Sequence, residues 1–198
     1  MAVRPIEQAE REFAAYFDCM RKAVSAANAH LWRTYADDMH RTSRRSRANM
    51  LCDWIGDELG KELIGKSGIQ SINTYGVPSF AIGQNWLIRV NKMDEGGTVA
   101  TNNTQLRLSL DENDLAQVSL FGLPDSATVV YLGYVENVAS PLNPEVWLIC
   151  PDGENPAWEI LLGTVEPPAP IELPPQLERP DETRIIPKRA DRNEAGEE

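Results

Sequence analysis

Cysteine and histidine are both scarce in this chain, which has three of the first and two of the second in 198 residues. Cys19, Cys52 and Cys150 are odd in number, far apart and set among apolar neighbours. This argues against a secreted disulfide framework and for a reducing cytoplasm. No CxxC pair occurs, and His30 and His40 fit neither a zinc-protease helix nor a zinc finger, so no metal site and no cofactor are expected. No apolar run approaches the ~18 residues of a membrane span. The start, MAVRPIEQAERE, lacks the order of a signal peptide. Basic side chains are outnumbered, 19 against 30 acidic, for a formal charge of −11. Generic attraction to nucleic acid or anionic lipid is therefore opposed, and any such contact has to be local.

The usual catalytic signatures are missing as well. There is no GxSxG elbow. Gly60 and Gly65-Lys66-Ser67 fall at the spacing of a phosphate loop, but the strand that must precede such a loop is absent, since a helical pattern leads into it. A metal nuclease needs carboxylates around a divalent ion and a lysine near the attacking water. The run Arg89-Val90-Asn91-Lys92-Met93-Asp94 contains no Asp/Glu-x-Lys triplet.

What is present reads as helices followed by sheet. Ile6, Phe13, Tyr16, Phe17, Met20, Val24 and Leu31 recur at helical spacing, which predicts a helix over about 5–35 with Pro5 at its first position. Leu51, Ile55, Leu59 and Leu63 form an every-fourth ridge beside Met50 and Trp54, predicting a second helix over about 46–64 that stops at Gly65. Gly56 and Gly60 weaken it, at about 1 kcal/mol each against alanine.

From residue 77 the period becomes two. Phe80 and Ile82, then Trp86, Ile88 and Val90, then Leu106, Leu108 and Leu110 alternate with polar partners, with Gly83-Gln84-Asn85 as a tight turn between the first two runs. Further strands are predicted at 128–135, 145–150 and 157–162, as an antiparallel meander. After Gly163 the apolar pattern ends and seven of the 14 prolines follow, among nine acidic and five basic side chains. The expected organisation is one α+β domain over 1–163, two N-terminal helices on a mostly antiparallel sheet spanning about 77–162. A disordered, Pro-rich acidic tail over 164–198 completes it.

Candidate binding residues are few. Arg41-Thr42-Ser43-Arg44-Arg45-Ser46-Arg47 is the most basic stretch and precedes the second helix. Arg44, Arg45 and Arg47 suit phosphate oxygens there, although a solvated loop paired with the chain's own acids is the plainer reading. Asp53, with Asp57 one turn on, is a carboxylate on a solvated helix face. Arg89 and Lys92 lie on opposite faces of one strand. Asn103, Thr104 and Gln105, within Thr101–Gln105, offer hydrogen bonds to a partner or to their own turn. The tryptophans 54, 86, 147 and 158 fall on apolar faces and read as core.

Several short segments carry a likeness. They are Arg44 to Asp53 (RRSRANMLCD), Ser79-Phe80, Trp86 to Asp94, Asn103-Thr104-Gln105 and Gly122-Leu123-Pro124. Gly133-Tyr134-Val135 and Ile149 to Gly153 with Trp158 complete the set. Over roughly 41–162 this order resembles a group of uncharacterised bacterial and prophage proteins. Those are often encoded beside a helix-turn-helix regulator fused to a zinc peptidase domain of the repressor-cleaving type. The family strand reads Arg-aromatic-Lys-Lys, where this chain has Val90 and Asn91. The resemblance implies a role in a prophage, plasmid or toxin–antitoxin-like module, with a protein partner from a neighbouring gene. The expected function is thus a cytoplasmic interaction or regulatory protein that binds a protein partner or a local nucleic-acid backbone, without catalytic residues or a membrane contact. The alternatives are a metal-independent toxin-like ribonuclease using Arg and Lys, a degenerate metal nuclease, and an acidic antidote covering a basic toxin.

Overall fold

A computed structural model describes residues 3–74, 77–93, 105–113, 115, 126–137, 139–153 and 155–169. Over those residues the chain is α+β. The stretch predicted as one helix is two, α1 (Ile6–Phe13) and α2 (Phe17–Tyr35), joined by a single 3₁₀ turn over Ala14–Tyr16. The stripe stays continuous across the join, with Phe13, Met20, Val24 and Leu31 all buried. Next comes α3 (Arg44–Leu63), which ends as expected, with Gly65 in the left-handed region at φ 88.

The sheet has six strands in sequence order: β1 (Ile69–Thr74), β2 (Val77–Ile82), β3 (Trp86–Lys92), β4 (Thr128–Val135), β5 (Glu145–Asp152) and β6 (Asn155–Thr164). Every neighbouring pair is antiparallel except β3 and β4, which run parallel with Arg89 opposite Tyr131. Gly83, at φ 58, turns the β2–β3 hairpin.

The sheet starts earlier than the sequence predicts. In β1, Ile69 and Ile72 are the two apolar residues and stand three apart, so no period of two is visible. The strand forms because it pairs with β2 along six positions.

Leu106 to Leu110 is corrected from strand to helix, since α4 spans Gln105–Asp111. Parallel neighbours such as β3 and β4 need an out-of-sheet connection, and α4 lies within it. Helical geometry separates residues that alternation would align: Leu110 is buried and Leu108 is 46% exposed.

α1, α2 and α3 cover one face of the sheet. Phe13, Met20, Val24, Leu51, Ile55 and Leu59 pack there on Phe80, Trp86, Ile88, Val130, Leu132 and Leu148. The two helix glycines explain how α3 comes so close. A Cβ on Gly56 would sit 2.8 Å from a carbon of the Pro78 ring, and one on Gly60 would sit 3.6 Å from Phe80. The opposite face carries a smaller cluster, Leu87, Leu110, Leu115, Ala127, Val129 and Tyr131.

Beyond β6 the chain stays packed for a few residues. Val165 is buried and the Ser25 hydroxyl donates to the Glu166 carbonyl. Residues 170–198, most of the Pro-rich segment, lie outside the described residues.

Candidate anion-binding site at the start of α3

α3 begins two residues earlier than its periodicity predicts, because its N-terminus is set by capping. Ser43 is the cap, and its Oγ accepts the Ser46 N–H at 3.0 Å. Arg44 and Arg45 therefore join Arg47 in the first turn of the helix instead of lying in a loop before it.

The three arginines divide by role. Arg47 turns back, its guanidinium donating to the carbonyls of Met39 (3.1 Å) and Thr42 (2.6 Å), so it holds the α2–α3 connection and is already engaged. Arg41 pairs with Asp38 at 3.2 Å on the surface. Arg44 and Arg45 are exposed, and among the described residues no ion pair involves either. They stand at a helix start, where the backbone already favours negative charge.

One turn further on, α3 meets the C-terminal ends of β3 and β4. The Tyr134 hydroxyl donates to the Ala48 carbonyl at 3.3 Å, and the Cys52 thiol lies 3.9 Å from that hydroxyl. Beside them Lys92 and Glu136 form an ion pair at 2.5 Å, each about a quarter exposed (22% and 25%). Burial, with a smaller push from Asp53, raises the Cys52 thiol to about 11. Burial and the neighbouring Cys52 raise Tyr134 well above the ordinary phenol range. Both shifts favour the protonated forms at neutral pH, away from thiolate and phenolate. Asp53 is exposed on the outer face of α3. Its carboxyl is raised by partial burial and then by the like charge of Asp57.

Arg89 belongs elsewhere. Named from the sequence as a candidate binding residue, it is 6% exposed. Strand alternation puts it on the face of β3 that carries Leu87, away from α3. Around the same face the Tyr131 hydroxyl donates to Asp111 Oδ1 at 2.6 Å, and the Asn113 side chain accepts from the Val129 N–H and donates to the Pro151 carbonyl. Asn103 and Thr104 lie outside the described residues, and Gln105 opens α4. The structure thus gathers Arg44, Arg45, Arg47, Asp53 and Lys92 on and beside α3, and separates Arg89 from them.

Tyr134 and Glu136 escaped the sequence reading because their partners are 86 and 44 positions away, and no local pattern marks such pairs. Asp111 and Asn113 had a faint signal, two short polar residues ending an apolar run, which reads equally as an ordinary turn.

Among the described residues no group of three or more His, Cys, Asp or Glu side chains could hold a metal ion. No described helix is long and apolar enough to cross a membrane. No family profile, curated protein or solved structure matches the chain. The site is therefore read from its own geometry: an exposed cationic helix start backed by polar groups that are already neutralised.

Proposed function

We propose that this chain is an interaction protein of a cytoplasmic regulatory module of the prophage or plasmid type, engaging an anionic patch on its partner through Arg44 and Arg45. The observation that carries the reading is the contrast within one small region. Arg47 is bonded to backbone and Lys92 to Glu136, whereas Arg44 and Arg45 are exposed cations at a helix start. The Cys52 thiol and Tyr134 phenol are both shifted away from reactive forms, which favours binding over catalysis. The overall −11 charge restricts the contact to a short anionic segment, because a long one would be repelled by the rest of the surface. The product of a neighbouring gene is the partner of choice, on the resemblance given above.

The double substitution Arg44→Ala/Arg45→Ala tests this. Pull-down of the neighbouring gene product should be lost while thermal unfolding is unchanged. If the partner is nucleic acid, the salt-dependence slope of binding should shrink by about two. Retained partner capture with an unaltered slope would end the reading. Growth arrest on expression, relieved by Lys92→Ala, would favour the ribonuclease instead.

A further inference from the structure

α2 opens with Phe17-Asp18-Cys19, and the turn after α3 reads Gly65-Lys66-Ser67-Gly68. Lys66 reaches across from that turn, its Nζ donating to the Sγ of Cys19 at 2.9 Å. The same ammonium stands 5.6 Å from the centre of the Tyr16 ring, a cation–π placement that holds it over the first turn of α2. Cys19 is a free thiol with 8% of its surface exposed, and its partner Lys66 is exposed, so the pair stands close to the protein surface.

The other two cysteines differ. Cys52 faces a phenol hydroxyl and Cys150 an asparagine amide, at 3.9 and 3.7 Å. Among the described residues Cys19 alone has an amine in hydrogen-bond contact.

We propose that Cys19 and Lys66 form a peroxide-driven covalent crosslink, a sulfenamide joining Sγ to Nζ that ties the start of α2 to the α3–β1 turn. The chemistry balances in two steps. The Cys19 sulfur attacks hydrogen peroxide, the O–O bond breaks, an S–O bond forms and water leaves. Sulfur gives up two electrons and the peroxide takes them. The Lys66 amine then attacks that sulfur, an N–S bond forms, and the S–O oxygen departs with an amine proton as a second water.

The attacking group is the free amine, so Lys66 first releases a proton to solvent. Its contact with Cys19, and the nearby Glu62 and Tyr16, hold its pKa above the ordinary 10.5. Crosslinking therefore accelerates as pH rises. Contact geometry supplies the selectivity, because among the described residues neither Cys52 nor Cys150 has an amine in hydrogen-bond contact.

The test treats the folded full-length chain with hydrogen peroxide at mildly alkaline pH and maps digested peptides by mass spectrometry. The expected product joins the Cys19 and Lys66 peptides at two hydrogens below their summed mass and is cleaved by dithiothreitol. It should vanish in Cys19→Ser and in Lys66→Arg, which keeps the charge but supplies no amine. Three results would overturn the proposal: sulfinic or sulfonic acid at Cys19 without a crosslink, a Cys19 left unmodified, or equal crosslinking of the chain unfolded in guanidinium.

Discussion

The two faces of the sheet are built from the same strands and are stabilised differently. On the side covered by α1, α2 and α3, alternate residues of β3 and β4 are Trp86, Ile88, Val90, Val130, Leu132 and Tyr134, and they meet an almost wholly apolar helix layer. On the other side the intervening residues include Leu87, Val129 and Tyr131 with Arg89 among them, and α4 closes over them with Asp111 and Ser109 buried to 8% and 6% exposure. The first face tolerates imprecision, since dispersion and burial are non-directional. Its partner depends on hydrogen bonds, which cost heavily when one member is removed. A shared backbone thus supports one layer governed by volume and another governed by donor and acceptor matching.

The contrast breaks most sharply at Trp86. This residue is fully buried, its ring 4.9 Å from Phe13 and 6.2 Å from Trp158, and its indole N–H donates to Glu12 at 2.6 Å. Trp86→Ala should cost about 3–5 kcal/mol in urea unfolding, the usual range for a large buried aromatic. A smaller but more specific loss belongs to Asn113, which sits at φ 52 and ties α4 to β4 and β5. Asn113→Ala should cost about 2–3 kcal/mol through two abandoned hydrogen bonds and a strained backbone. Asn113→Gly, which accepts the positive φ, should recover up to about 1 kcal/mol of that loss. If glycine and alanine prove equal in denaturant titration, strain at Asn113 contributes nothing.

A subtler effect concerns acid. Burial raises the Glu12 carboxyl, but hydrogen bonds from Trp86, Gln8 and Asn85 and the charge of Arg11 outweigh it, so the folded value lies below the ordinary 4.5. Its contribution is therefore present above pH 4.5 and lost as pH falls through the lower folded value. Glu12→Gln should flatten the acid limb of a melting-temperature profile and leave the neutral limb parallel to that of the parent. Least of all, Arg44→Ala/Arg45→Ala should stay within about 0.5 kcal/mol of the parent, as expected for exposed side chains that form no ion pair among the described residues.

Much of the helix-covered face was legible beforehand. The every-fourth leucine ridge of α3 and the alternation of β2 and β3 report burial directly, because periodicity records which side of an element meets apolar neighbours. The α3 start was legible in kind, as a basic cluster at a helix beginning, but not in detail. Nothing in the order of residues distinguishes Arg47, bonded to Met39 and Thr42, from exposed Arg44 and Arg45. Arg89 was misplaced because alternation assigns a residue to a face without saying whether that face is covered. Leu106 to Leu110 was misassigned because seven residues with apolar positions two apart satisfy a strand pattern, and the helix follows from a crossover between strands about 36 residues apart in sequence.

What the chain carries in its own order is the α+β class, the amphipathic faces of α2 and α3, the hairpin at Gly83 and the acidic balance with one local cationic cluster. All of these depend on neighbours within a turn or a pleat, where spacing and chemistry coincide. The parallel pairing of β3 with β4, the buried polar layer beneath α4, the separation of Arg89 from Arg44 and the meeting of Lys66 with Cys19 were decided only in three dimensions. They join residues tens of positions apart, and such contacts arise from the packing of whole elements, which no local period encodes.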